Sequence, residues 1–351
     1  MRITFVLPTP IRIPMGGAKV VYAHAEGLAR LGHTVRVVAP SRAGEGVRDR
    51  AMRWAVAARD RLHGVAGGLA YAADGVESIT LPSPRPHAFP DADVTVATGV
   101  QTAPWVARLP ESKGRRVYFV QGDETFVRPD ARDSWHLGME LLTCARWLAD
   151  AMGEAGLSPV AVIPNAIDPR EFGLDRRIEG RGPDVLALYH RHPVKGPDVL
   201  LDALRTLLAE RPSVRCRVFC ARPPSHALPE GVDVEIRPSA DRLRELYNRA
   251  AVLLHPSRSE GWPLVPMEAA ACGAAVVASA NPGVQEYLAD GVSMRAVPIG
   301  DGDALGRAAL GLLSDASERT RLATSARASV ARYSWSDSTA RLAAALDRIA
   351  R

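Results

Sequence analysis

Residues 251–280 read AVLLHPSRSEGWPLVPMEAAACGAAVVASA. The apolar stretch AVLLHPS reads as a buried strand and AAVVASA as a second one. Between them a Gly- and Pro-bearing loop leads into a helix through LVPMEAAAC, which Gly273 ends. Strand, helix and strand in this order imply a parallel pair joined by a crossover. Two acids, Glu260 and Glu268, stand eight positions apart inside this apolar region, where acidic side chains are uncommon.

The same alternation extends in both directions. Upstream, DVLALYH, SVRCRVFCA and VDVEIRP read as strands, while GPDVLLDALRTLLAE and ADRLRELYNRA read as helices; downstream a helix is expected around GVQEYLAD. The first half has its own series. RITFVLP, HTVRVVAP, VESITLP, DVTVATG and RRVYFVQG are strands, AKVVYAHAEGLARLG is a helix ending at Gly32, and AGEGVRDRAMRWAVAARDRLHG reads as a basic helical insert. Polar, proline-bearing IPNAIDPREFGLDRRIEGRGPD looks like a linker between the two series. The expectation is an α/β protein with two doubly wound, Rossmann-like domains, residues 1–168 and 169–332, facing each other across a cleft.

Composition narrows the class. A chain of 351 residues is long for one core, and 47% hydrophobic with 24% charged residues is ordinary for a globular protein. No apolar run reaches the roughly 18–20 residues that cross a bilayer. The opening MRITFVLPTP has too short an apolar stretch for a signal peptide and reads as a first buried strand, so the expected compartment is the cytoplasm. Cys144, Cys216, Cys220 and Cys272 fit it as buried, reduced thiols. A net charge of +5 spread along the chain and 5% aromatics argue against nucleic acid. Only Lys19, Lys113 and Lys195 are lysines, every other basic residue being arginine, which draws attention to each lysine retained.

The carboxylate pair poses a chemical question. The first turn of the 264–272 helix offers free N–H groups and a positive dipole end, a ready anion site, and Pro263 suits that turn. Glu268, roughly 7–8 Å along the helix, leans back toward its start. Glu260 and Glu268 can then flank a bound anion and accept hydrogen bonds from hydroxyls on either side, as a nucleotide sugar would require. The alternative is that Glu260 caps the helix and Glu268 pairs with an arginine. Arg191 and Lys195, in HRHPVKG after a strand, can neutralise a diphosphate. His190 and His192 beside them lack a third ligand in sequence, so no metal is expected.

Two further groups lie in the first half. Gly16 and Gly17 separate the first strand from the first helix, where a ligand could approach bare backbone. They lack the G-x-G-x-x-G spacing and the later acid of a dinucleotide site. Gln121, Asp123 and Glu124 in FVQGDETF follow a strand and either contact hydroxyls of sugar or acceptor or form a capped loop. Asp91 and Asp93 precede a strand at its amino end and read as solvated turn acids.

Together these motifs resemble family 4 of the retaining glycosyltransferases. SRSEGWPLVPMEAAACGAAVV is similar to its donor signature, GGAKVVYAHAEGLARLGHTVRVVA to its opening, VIPNAIDPREF to its interdomain segment, HRHPVKGPDVLLDAL to its phosphate loop and YSWSDSTARLAAALDRI to its closing helix. The resemblance implies the GT-B fold, no metal, and a nucleotide-diphosphate sugar as co-substrate. It implies that residues 333–351 return to the first domain. It assigns Arg191 and Lys195 to the diphosphate, Glu260 to the transferred sugar and Glu268 to the donor ribose. Gly16, Gly17, His190, Gly261, Trp262, Pro263, Leu264 and Val265 complete the implied donor-binding set. Gln121 stands where many relatives have histidine, and the loop at Arg191 is short, so that His190 or His192 would share its role.

The wording ATGVQTAPWVARLPESKGRRVYFVQGDE resembles transferases acting on cell-surface polysaccharides or natural products. The expected reaction is sugar transfer to a hydroxyl of a glycan, lipid-linked or natural-product acceptor. A catalytically inactive nucleotide-sugar-binding protein is the alternative, and an epimerase or phosphorylase shares the architecture; a phosphorylase would need a cofactor lysine after Lys195, and none follows. The basic segment with Arg48, Arg50, Arg53, Trp54, Arg59 and Arg61 is either a solvated helix face or a contact with an anionic membrane or lipid-linked acceptor.

Overall fold

A computed structural model describes residues 1–11, 15–41 and 73–351. The basic segment and its membrane expectation lie outside the described residues. The chain divides into two compact units, residues 1–163 with 336–351, and residues 164–335.

The first unit is a seven-stranded parallel sheet with β1 (Arg2–Val6), β2 (Thr34–Pro40), β3 (Val76–Leu81), β4 (Val94–Ala97), β5 (Arg115–Val120), β6 (Glu140–Thr143) and β7 (Ala161–Val162). Their order is β3-β2-β1-β4-β5-β6-β7. Helices α1 (Gly16–Arg30), α2 (Ala103–Ala107) and α3 (Arg146–Glu154) connect them. β4 is buried at all four positions, as a strand covered on both faces must be. α10 (Trp335–Ala350) supplies residues 336–350 to this unit. It packs on α1 so tightly that a Cβ at Gly27 would lie 2.6 Å from the Thr339 hydroxyl.

The second unit is a six-stranded parallel sheet of β8 (Asp184–Leu188), β9 (Arg215–Cys220), β10 (Val232–Ile236), β11 (Val252–His255), β12 (Ala275–Ser279) and β13 (Arg295–Val297), ordered β10-β9-β8-β11-β12-β13. Its helices are α4 (Pro197–Glu210), α5 (Ala240–Arg249), α6 (Leu264–Ala271), α7 (Pro282–Gln285), α8 (Gly302–Ser314) and α9 (Ala316–Val330). Val252 of β11 pairs with Val185 on one side and Ala275 on the other, the parallel pairing expected from residues 251–280. Leu200, Leu204, Val218, Leu254, Val277 and Leu305 are core residues here.

Two expectations need correction. The segment read as a linker folds onto the second unit: Phe172 and Ile178 are buried, and Arg244 bonds Asp175. Its polar, proline-rich composition concealed these two apolar anchors. Around GVQEYLAD the helix is only the short α7, ending at Gln285. The cysteines are reduced and buried, as expected.

Candidate functional site

β8 is hydrogen-bonded to β9 on one side and β11 on the other, so the chain order of the second sheet reverses there. The loops leaving the carboxyl ends of β8 and β11 lie at that switch point, which is where doubly wound sheets bind ligands. After β8 the chain makes a tight 3-10 turn, Pro193–Lys195, capped by His192, whose Nδ1 accepts the Val194 N–H at 3.3 Å. Gly196 follows with φ +65°, and a Cβ there would sit 2.3 Å from the Pro256 carbonyl. The left-handed turn and the close approach both call for glycine. Arg258 fastens the two loops: its N–H donates to the Val194 carbonyl at 2.7 Å, and its guanidinium holds Asp198 at 2.6 Å.

This scaffold brings Lys195 to Glu260. Nζ lies 2.6 Å from each carboxylate oxygen, across 65 residues of sequence. Glu260 is 13% exposed and Lys195 30%. Burial pushes the Glu260 carboxyl up, but the charge of Lys195, with His255 and a Ser257 hydrogen bond, outweighs it and holds the group below its ordinary value. Glu260 is therefore a paired anion and not the helix cap; the N-cap of α6 is Pro263, which has no side-chain cap and stands one residue before the helix. Glu268 is buried within α6 and accepts the Tyr247 hydroxyl at 3.0 Å.

Other expected site residues are placed as follows. Arg191 Nε donates to the Pro223 carbonyl at 2.9 Å, with Nη2 on the same oxygen, so its guanidinium is committed to the loop after β9. His190 Nδ1 accepts the His192 N–H at 3.0 Å, and burial, then Lys195, lowers its pKa. Trp262 is buried; its Nε1 meets the Met267 sulfur at 2.9 Å and its ring packs on Tyr287 and Tyr333. Gly261 is buried too, and the Pro263 carbonyl accepts Tyr287 Oη at 2.6 Å. Leu264 and Val265 open α6, whose first-turn N–H groups have no partner within the helix.

In the first unit, a Cβ on Gly17 would lie 3.5 Å from Gln121 Oε1, which brings the start of α1 beside the end of β5; Gly16 faces open space. Arg132 grips Asp123 through both oxygens, at 3.1 and 3.0 Å. Glu124, with φ +56°, accepts the Val100 N–H at 2.8 Å and the Tyr118 hydroxyl at 3.1 Å. Burial raises its pKa. Asp91 and Asp93 are turn acids, ion-paired with Lys113 and Arg2. Among the described residues no group of three or more His, Cys, Asp or Glu side chains is placed to hold a metal.

Sequence reasoning missed Arg258, Tyr247, Asn165, Gly283 and His255. Asn165 donates to the Trp262 carbonyl at 3.1 Å, and a Cβ on Gly283 would meet the Glu260 carbonyl at 2.3 Å. Such contacts span tens of residues and leave no local pattern; only the HPS of AVLLHPS, ending a buried strand, hinted at His255.

Burial lowers the pKa of His255 to about 4 and that of His24 to about 3. The unfolded chain, with ordinary values near 6.5, takes up protons that the folded chain refuses. Stability is therefore fully present above about pH 6.5 and falls as pH drops toward 4, by about 1.4 kcal/mol per pH unit per histidine. His255→Leu should remove up to about that much from the slope between pH 6.5 and 5, read from urea midpoints at constant m; an unchanged slope would contradict the assignment.

Two parallel α/β sheets with this strand order are the architecture of the GT-B fold. The fold matches Anabaena Alr3699/HepE in complex with UDP and glucose (TM-score 0.73, 16% identity, 99% of this chain and 100% of that one). It also matches the sucrose-phosphate synthase of Thermosynechococcus elongatus (TM-score 0.77, 14% identity, 99% of each chain). Residues 184–315 match the family model for glycosyl transferases group 1.

The chain is 32% identical over 208 residues to the phosphatidyl-myo-inositol mannosyltransferase of Mycolicibacterium smegmatis, covering 54% of this chain and 51% of that protein. It is 35% identical over 169 residues to the D-inositol 3-phosphate glycosyltransferase of Streptosporangium roseum, covering 43% and 39%. The chain thus aligns with about half or less of the length of these curated relatives. Among the described residues no helix is long and apolar enough to cross a membrane.

Proposed function

We propose that this chain transfers a sugar from a nucleotide-diphosphate sugar to an acceptor hydroxyl, with retention at the anomeric carbon. The observation that carries the reading is the meeting of Lys195 and Glu260 at the switch point of the second sheet, with α6 and Glu268 directly following in the chain. In this reading a donor phosphate oxygen takes Lys195 from Glu260, and the Leu264 and Val265 N–H groups face the diphosphate. The released Glu260 carboxylate accepts hydroxyls of the sugar, and Glu268 holds the ribose. As the bond from the anomeric carbon to the diphosphate breaks, these positive groups stabilise the growing charge. The acceptor oxygen bonds the same face and passes its proton to a leaving phosphate oxygen.

Gln121 beside Gly17 is the proposed contact to sugar or acceptor in the first unit. Asp123 and Glu124, engaged by Arg132 and Tyr118, would shape that loop. The inositol acceptors named for the curated relatives make a cyclic polyol, free or lipid-linked, the first acceptor class to try. The proposed location is cytoplasmic, with peripheral membrane contact where the acceptor is lipid-linked.

A thermal-shift panel of UDP-, dTDP- and GDP-sugars on wild type and Glu268→Ala tests the donor site. One nucleotide should shift the wild type and lose most of its effect in the variant, and Glu268→Ala should raise the donor KM. No shift with any nucleotide sugar, or a change confined to the acceptor KM, would overturn the assignment.

A further inference from the structure

A second charged concavity lies at the other end of β8 from the Lys195 loop. Asp184, the first residue of that strand, lines a cavity of about 310 Å³ walled by Arg176, Arg177, Arg181, Arg215 and Arg249. The volume sits at the lower end of the range of small-ligand pockets.

The acids in this wall are few. Asp184 is taken by Arg215, and Glu179 reaches Arg177 at 3.6 Å in a pair that is largely exposed and holds weakly. Outside the wall, Glu245 meets Arg249 at 3.8 Å. Among the described residues Arg176 has no carboxylate at ion-pair distance.

Arg181 is held without being neutralised. Its guanidinium donates to the carbonyls of Arg176, Arg177, Tyr247, Ala250 and Cys272. Burial lowers its pKa to about 10, and the neighbouring charges of Arg176 and Arg319 push it in the same direction. A fixed cation therefore stands beside the concavity, and Arg176 of its wall repels it. Such crowding costs stability until an anion enters. Guanidinium forks also match phosphate oxygens in bidentate fashion, which suits several of them to one ligand.

We propose that this cavity binds a compact anion carrying two or more phosphate groups, either as a free small molecule or as a lipid headgroup. It is separate from the donor site and stands whether or not the donor reading holds.

The test uses inorganic pyrophosphate at physiological salt, titrated calorimetrically into Lys195→Ala protein, which lacks the proposed donor-phosphate contact. The same titration follows with Arg176→Ala and Arg249→Ala added; both side chains are on the surface, and circular dichroism checks the fold. Binding to the first protein and at least tenfold weaker binding to the second is the expected result. Co-sedimentation with cardiolipin vesicles, whose headgroup carries two phosphates, set against phosphatidylcholine vesicles, distinguishes the sources. Sedimentation lost with the two arginines assigns a headgroup, and pyrophosphate binding without sedimentation assigns a free anion. Equal affinity in both proteins, or no pyrophosphate binding in either, overturns the proposal.

Discussion

Lys195→Ala is expected to lower sugar transfer on the order of 10²-fold or more, with the fold retained. The lysine holds both oxygens of Glu260 at 2.6 Å, so the variant removes the proposed diphosphate cation and strands a mostly buried carboxylate. Removing one member of such a pair destabilises, because the remaining charge has lost its compensation. The two losses can be separated. Adding Glu260→Gln should recover much of the stability, since no bare charge remains, but none of the turnover. Near-wild-type transfer by Lys195→Ala, or turnover recovered in the double variant, would remove Lys195 from the chemistry. The pH dependence has a definite sign. Glu260 has a lowered pKa, so the stability it contributes is present above the ordinary carboxylate range and is lost as pH falls below it.

Gly196→Ala should be the most damaging small substitution near the site, costing about 2–5 kcal/mol. Two penalties combine: a side chain in the left-handed region, at φ +65°, and a Cβ placed 2.3 Å from the Pro256 carbonyl. The carbonyl is backbone and belongs to the loop that leads to Glu260, so relief of the clash must pull the two loops apart. The expected outcome is a lower urea midpoint at unchanged m together with reduced transfer. A midpoint within about 0.5 kcal/mol of wild type would show that the loops are less tightly coupled than their geometry states.

The architecture was largely legible because buried parallel strands are short apolar runs with punctuation between them. VLLH and AVVAS, flanked by Pro256 and Gly273, could hardly be read otherwise. β7 at two residues and β13 at three are too short to carry a pattern, and neither was anticipated. Lys195 stood out through the scarcity of lysine, and Glu260 and Glu268 through their apolar setting. Their partners did not. Arg258 is one arginine among many in this chain, and nothing near Tyr247 indicates that its hydroxyl reaches Glu268. The commitment of Arg191 to Pro223 was equally hidden, since a carbonyl acceptor has no sequence signature.

The packing of α10 on α1 has a bearing on how the protein is made. Residues 336–350 leave the ribosome only after all of residues 164–335, so the second unit, continuous in sequence, can close while the first still lacks its last helix. Until then the α1 surface at His24 and Gly27, packed against Thr339 in the finished protein, has nothing to cover it. Nascent chains generally fold unit by unit from the amino terminus. Here the order of completion is reversed, and the beginning of the chain waits longest for its partner.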